Sequence, residues 1–298
     1  LEREDIALSP RDAYVVYMAK AVEPAGEARS DFDILRGIAS KLGVEDAYTE
    51  GRSPDQWIRW LYDTARDNAA AAGRALPRWD ELVRTGWHRV EAPDDPHVML
   101  RAFRADPDAH PLRTPSGKIE LYSETIERFG YVDCPAHPAW LEPFEWLGAA
   151  GSSFPLHLIS NQPASKLHSH LDHGSESRAA KIAGREPVTL SRTDAVERGI
   201  GGGDIVRVFN SRGACLGAAV VSDAVRPGVV QMSTGAWLDL DENETLCKHG
   251  NPNMLTADRG TSQLAQGPTA HTCLVEVERY IGEVPPVTAF DPPEICKD

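Results

Sequence analysis

Between residues 154 and 277 the chain is cut into short apolar runs, and that segmentation constrains its fold more than any other feature. The runs are 154–159, 187–190, 204–210, 214–221, 229–232 and 272–277, rich in β-branched residues and too short for ordinary helices. Turn signals stand between them: Gly201-Gly202-Gly203-Asp204, the hairpin Asn210-Ser211-Arg212-Gly213, and Arg226-Pro227-Gly228. Residues 191–199 read as one short helix, with a capping serine and a terminal glycine. Six short strands with little helix imply a barrel. The glycines make no phosphate loop, because no Lys-Ser/Thr follows them and no long helix starts there.

The first run delivers a cluster of amides, hydroxyls and imidazoles, since residues 160–172 read Ser-Asn-Gln-Pro-Ala-Ser-Lys-Leu-His-Ser-His-Leu-Asp. One at a time, these are the residues of any exposed loop. A second polar loop at 249–267 offers a similar supply. Its Asn251, Asn253, Gln263 and Gln266 each carry two donors and an acceptor, the equipment for reading the edge of a purine or pterin ring. Gly250, Gly260 and Gly267 let backbone approach a ligand closely, and Pro252 stiffens the turn between the asparagines. Neither loop pairs a general acid with a base. Together they point to binding of a large polar cofactor more than to bond breaking.

The first half has a different texture and reads as largely helical. Residues 30–43 offer an N-cap serine, apolar residues at helical spacing and a closing glycine, and residues 53–71 a second helix with Trp57, Trp60, Leu61 and Ala65 on one face. Those tryptophans are expected in the core. The run 13–19 fits a helix start or a strand equally. Residues 114–122 read as a turn entering an alternating strand, followed by a helix over 123–129, and residues 134–153 as an aperiodic linker. The expected division is therefore 1–150, 154–281 and an extended tail at 282–298.

With 31 Lys plus Arg against 45 Asp plus Glu, the formal net charge of −14 opposes nonspecific binding of nucleic acid or anionic membranes. No apolar stretch approaches the roughly 18 residues that cross a bilayer, so membrane insertion is not expected. The five cysteines are scattered without a CxxC pair, which argues for buried neutral thiols and against a disulfide framework, a four-cysteine zinc site or an iron–sulfur site. His168, His170 and His173 lie close in sequence but have no second half of a zinc site. The chain opens on Leu1, as a processed or partial chain does.

Several segments resemble the molybdopterin oxidoreductases. The barrel run from Gly184-Arg185-Glu186-Pro187-Val188 through Asp194-Ala195, Arg198-Gly199-Ile200, residues 203–210 and Arg212-Gly213 is similar to their last domain. Leu158-Ile159-Ser160-Asn161-Gln162-Pro163 with Leu167-His168-Ser169, and Asn251-Pro252-Asn253 with Thr261-Ser262 and residues 264–267, resemble the dimethyl sulfoxide reductase family and its biotin sulfoxide reductase branch. The likeness is dense over about 155–280 and thinner before it, where it rests on residues 114–123.

That resemblance implies a mixed α/β, largely helical N-terminal part, the end of a catalytic region, followed by a six-stranded double-psi barrel. The barrel is expected to close over a bis(molybdopterin guanine dinucleotide) molybdenum cofactor. By position, Asn161, Gln162, His168, Ser169 and His170 of the first loop and Asn251, Asn253, Gln266 and Gly267 of the second become cofactor contacts. His170 departs from the glutamine often found there. No molybdenum ligand and no catalytic side chain is assigned, because such ligands lie upstream. The implied activity is reduction of a small S-oxide or N-oxide by oxygen-atom transfer, with the N-terminal remainder of the enzyme and an electron donor as partners and a cytoplasmic or periplasmic setting. The alternatives are a related enzyme acting on formate or nitrate and a stand-alone barrel that serves as a binding module.

Overall fold

The computed structural model describes residues 1–9, 12–91, 95, 97–149 and 153–292. Two compact units divide the chain, Leu1–Leu112 and the remainder from Arg113. In the first, β1 (Asp5–Leu8), β2 (Tyr14–Met18) and β3 (Trp87–Arg89) form an antiparallel sheet in chain order. The ambiguous run is thus a strand, with β-branched Val15 and Val16 paired to Leu8 and Ala7, while Pro10 and Arg11 lie outside the described residues. α1 (Asp31–Lys41) begins at Ser30, whose hydroxyl accepts from the Asp33 amide. After α2 (Glu45–Thr49), α3 (Pro54–Ala71) opens with a full capping box between Ser53 and Gln56, and α4 (Trp79–Thr85) and α5 (Arg101–Ala105) complete the unit.

The expected tryptophan face of α3 is a correction. Trp60 and Leu61 are 45% and 55% exposed, and the side chain that enters the core is Tyr62. Its hydroxyl donates to the Pro77 carbonyl at 2.9 Å and its ring meets Trp79 at 5.5 Å, joining a small core with Val15 and Leu82. Trp57 and Trp60 are covered from outside, by the Arg52 guanidinium 4.6 and 5.0 Å from their ring centres.

In the second unit, α6 (Glu124–Glu127) starts at Ser123 as expected, but no strand precedes it. Residues 114–122 fold as a local turn, with Thr114 Oγ1 donating to the Lys118 carbonyl at 2.6 Å and the Ser116 amide to Glu120 Oε1 at 2.9 Å. Ile119 and Leu121 stay exposed. Alternation alone makes no strand where no neighbouring ladder takes up the backbone groups. The stretch 134–149 has no regular element, and residues 150–152 lie outside the described ones. Its Glu145 holds the Arg212 guanidinium and accepts from the Leu274 amide at 2.9 Å, which ties it to the barrel.

The six predicted strands are all present: β4 (Leu156–Ile159), β5 (Pro187–Leu190), β6 (Ile205–Phe209), β7 (Ala214–Val221), β8 (Val229–Met232) and, after the two-residue β9 (Leu246–Cys247), β10 (Cys273–Arg279). Helix α7 (Ser175–Ala179) precedes β5, and α8 (Arg192–Glu197), capped by Ser191, follows it. The order β5-β8-β4-β10-β6-β7 closes through a β5–β7 pairing. Parallel pairs β4–β8 and β5–β7 set among antiparallel neighbours make the six-stranded double-psi barrel. Alternate residues point inward, so Leu156, Leu158, Val188, Leu190, Val206, Val208, Val230, Met232, Val275 and Val277 fill it. Each such burial contributes about 1.5–3 kcal/mol. Gly217 is required where β7 passes β5, since a Cβ there falls 2.3 Å from Val188 Cγ2. Cys215, Cys247 and Cys273 are buried free thiols, and burial pushes the Cys215 pKa well up, whereas Cys134 is only partly buried and Cys296 lies outside the described residues.

Candidate functional site

Strand register places the two polar loops at one rim of the barrel. β4 runs antiparallel to β10 with Leu158 opposite Cys273, so the loop leaving β4 emerges beside the segment that enters β10. β4 also runs parallel to β8 with Ile159 opposite Gln231, which brings residues 233–237 to the same rim. Two sequence-distant loops and a third segment thus converge where the strand pattern alone gave only a list.

The first loop is held in an unusual backbone path. His168 and Leu171 both have positive φ, 50° and 59°, without being glycine. Gln162 clasps His168 twice, accepting from its amide at 3.2 Å and meeting its Nδ1 at 3.0 Å. Gln231 Nε2 donates to Asn161 Oδ1 at 2.5 Å, and Trp237 Nε1 donates to the Ser169 carbonyl at 2.8 Å. Gly235, at φ 97°, lies so close beneath that a Cβ would stand 1.8 Å from the His168 carbonyl oxygen.

Under this loop lies a cluster of buried charges. The side chains of Lys166, Asp172, Lys181 and Glu186 are all at most 5% exposed. Lys166 and Lys181 donate to Asp172 Oδ1 at 2.7 and 2.9 Å, and both also bond Glu186 Oε1. Ser177 Oγ donates to Asp172 at 3.0 Å, and the Trp237 amide at 2.9 Å. Burial pushes the Asp172 carboxyl up, but the bonds from Lys166, Trp237 and Lys181 outweigh it and hold its pKa at about 2. Burial likewise pulls Lys166 down, and its two carboxylate partners raise it above the ordinary lysine value. Two cations therefore face two anions.

His249 closes the cluster at the start of the second loop. It is fully buried, and its Nδ1, 3.0 Å from the Trp237 carbonyl, carries the proton, because a carbonyl only accepts. Its Nε2 has no hydrogen-bond partner among the described residues. Burial and then the Lys181 charge lower its pKa, so the ring is neutral. Phe290, from the C-terminal segment, stacks edge-on against it at 4.9 Å. That segment has no regular element over 282–292, turns where the Asp291 amide donates to the Thr288 carbonyl, and is tied down by Asp239, which accepts from the Thr288 amide at 2.7 Å and the Ala289 amide at 3.1 Å. Residues 293–298 lie outside the described ones.

The second loop is held largely through backbone carbonyls and amides, and the Asp133 carboxylate accepts from its Gln263 amide at 3.2 Å. Asn251 Oδ1 accepts from the Asn253 amide at 2.9 Å, and Asn210 and Arg212 both donate to the Leu255 carbonyl, at 2.8 and 2.6 Å. Farther on, Gln266 Nε2 donates to the Ser262 carbonyl at 2.8 Å and the Gly267 carbonyl accepts from Thr261 at 2.8 Å. Of the nine residues singled out in the sequence, Asn161, Gln162, His168, Asn251 and Gln266 are engaged through their side chains with other protein groups. The Ser169 hydroxyl, the His170 ring and the Asn253 side-chain amide make no hydrogen bond among the described residues and are exposed.

Sequence reasoning missed the floor of the site: Gln231, Gly235, Trp237 and the buried charges. The one local signal was Glu186, an acidic residue directly before the strand-forming run 187–190. Among the described residues no group of three or more His, Cys, Asp or Glu converges to hold a metal. The fit to a large polar cofactor is chemical: uncommitted amide, hydroxyl and imidazole groups stand at one rim on a braced floor.

A family profile for the molydopterin dinucleotide binding domain matches residues 156–274. Biotin sulfoxide reductase of Cereibacter sphaeroides is 47% identical over 95% of this chain and 38% of its own length. The dimethyl sulfoxide/trimethylamine N-oxide reductase of the same organism is 44% identical over 94% and 34%, and trimethylamine-N-oxide reductase 1 of Escherichia coli K12 is 45% identical over 92% and 33%. The chain spans about a third of the length of these curated relatives. Acetylene hydratase from Pelobacter acetylenicus superposes with a TM-score of 0.67 over 94% of this chain and 37% of its own, at 20% identity, which is a likeness of fold.

Proposed function

The chain belongs to the dimethyl sulfoxide reductase family of molybdopterin oxidoreductases, and on that premise we propose that it is the cofactor-holding part of an S-oxide or N-oxide reductase. The cofactor is a molybdopterin in its bis(guanine dinucleotide) form with molybdenum. When bound, it supplies oxygen-atom transfer, in which two electrons and two protons convert the oxide to the deoxygenated product and water. The chain's own residues bind and orient. Asn161, Gln162, His168, Ser169 and His170 form one hydrogen-bonding wall, and Asn251, Asn253, Gln266 and Gly267 the facing one. An imidazole at position 170 keeps the capacity to donate or accept that an amide would offer there, with a single ring nitrogen for each role. The metal ligand, the substrate funnel and the electron donor's contact belong to the rest of the enzyme.

The observation that supports this most is the exposed side chains of Ser169, His170 and Asn253, which have no hydrogen-bond partner among the described residues and stand on loops whose floor is braced. Asn251→Ala and His168→Ala in the full-length enzyme test it. Each is expected to reduce retained molybdenum and pterin by about tenfold, the worth of one to two hydrogen bonds, with the circular dichroism spectrum unchanged. Full cofactor content in both variants would sink the assignment.

A further inference from the structure

We propose that Lys166, Lys181, Asp172 and Glu186 act as a positioning device that sets the height of the first loop over the barrel and couples it to the second loop. The inference rests on the cofactor reading above and adds residues that touch no cofactor. Lys166 and Asp172 lie within the first loop and flank its strained segment, which runs from His168 to Leu171 at positive φ at both ends. Lys181 follows α7, and Glu186 stands at the entry of β5. The cluster therefore bolts the loop to the barrel rather than to itself.

The same four groups reach the second loop. The Glu186 amide donates to the His249 carbonyl at 3.3 Å, and a Cβ on Gly250 would lie 3.0 Å from Glu186 Cβ. Gly250, at φ 101°, begins that loop pressed against the cluster. Trp237 joins the two sides, since its amide donates to Asp172, its ring nitrogen donates to the Ser169 carbonyl and its own carbonyl accepts from His249 Nδ1. A displacement of either carboxylate would be felt by both walls of the site.

Stability alone does not call for this arrangement. A buried set of two cations and two anions is commonly no better than well-packed apolar side chains of the same volume, because desolvation offsets the attraction. What charges add is direction. An apolar filling lets a loop slide, whereas carboxylates shared between two ammonium groups fix it to within a hydrogen-bond length.

Two measurements on the full-length holoenzyme separate this from a purely structural role. Lys181→Met leaves a buried anion unbalanced and is expected to lower both the thermal midpoint and cofactor content. Adding Glu186→Gln restores neutrality. The double variant is expected to regain the wild-type midpoint while releasing pterin dinucleotide about tenfold faster than wild type. Release at the wild-type rate from the double variant overturns the proposal. The second measurement needs no substitution and decides the matter if the double variant does not fold. After the cofactor is stripped from wild type, the His168, His170 and Trp237 amides are expected to exchange hydrogen within about threefold of their holoenzyme rates, because the cluster holds the loop by itself. Exchange about a hundredfold faster shows that the cofactor holds the loop, and overturns the proposal. Wild-type enzyme that carries no pterin dinucleotide would refute the cofactor reading instead, while strong protection of the same amides in that enzyme would still show the cluster holding the loop by itself.

Discussion

The two loops of the site carry similar side chains and are built in opposite ways. The loop at 160–172 bends through two non-glycine residues at positive φ and is braced by buried charges, Gln162, Trp237 and the glycine beneath it. Between 249 and 267 the backbone needs no such strain. It is fixed near its start by His249, Asn210 and Arg212, and beyond Leu255 by exposed bonds, such as Thr261 Oγ1 to the Ala265 carbonyl at 2.6 Å and the Gln263 amide to the Asp133 carboxylate at 3.2 Å. Strained residues at positive φ cost about 1–3 kcal/mol each and persist only where surroundings over-determine them. One loop is thus preorganised at a cost the barrel carries, and the other is left adaptable along its second half.

The sharpest way to break this contrast is Gly235→Ala. Its Cβ would enter the His168 carbonyl at 1.8 Å, a backbone atom that cannot step aside without moving the loop, and the residue itself sits at φ 97°. A loss of about 3 kcal/mol in unfolding free energy is expected, with cofactor content falling alongside. Denaturant titration of the purified enzyme and a molybdenum assay check it. An unchanged midpoint would show that the first loop is as yielding as the second.

Much of the barrel was legible because each strand carries its own evidence. Val206 and Val208 alternate with Arg207, and Asn210 to Gly213 turn the chain in place, so pattern and turn agree locally. The helix caps at Ser30 and Ser191 were equally local. What failed needed a partner from elsewhere. Ile119 and Leu121 alternate as strand residues do, yet no ladder lies beside them, and Trp60 lost the core to Tyr62 because Pro77 and Trp79 stand on the other side. The exposed site residues could be named from composition, but the floor could not. Lys166, Asp172, Lys181 and Glu186 look like solvated charges in the sequence, and only the closed barrel brings them together.

A smaller effect comes from His249, which joins the floor to the second loop. Its pKa in the fold lies below the ordinary value, so the folded state holds fewer protons than the unfolded chain below about pH 6.5. Stability is therefore full above that pH and declines as pH falls through the folded value, with a slope of at most about 1.4 kcal/mol per pH unit for one proton. Asp172 adds its own loss only at more acid pH, between its ordinary value near 4 and about 2. Unfolding followed at a series of pH values from 8 down to about 4.5 should show the first decline. His249→Gln should flatten it, and a decline of equal slope in that variant would assign the titration to another group.

The smallest effect is the counterpart in the adaptable loop, Gly260→Ala. A Cβ there would come within 2.3 Å of Gln266 Oε1, as severe on paper as several contacts under the first loop. The atom it meets is the free end of a flexible side chain, and Gly260 is not among the glycines at positive φ. Gln266 can swing away at the cost of its bond to the Ser262 carbonyl, which is exposed and therefore worth little. The expected change in unfolding free energy is within about 0.5 kcal/mol. Cofactor retention should fall only as far as Gln266 contributes to it, so Gly260→Ala and Gln266→Ala should weaken retention by the same factor. A Gly260→Ala variant much weaker than Gln266→Ala would mean that the backbone of the second loop, and not its side chains, is the cofactor contact.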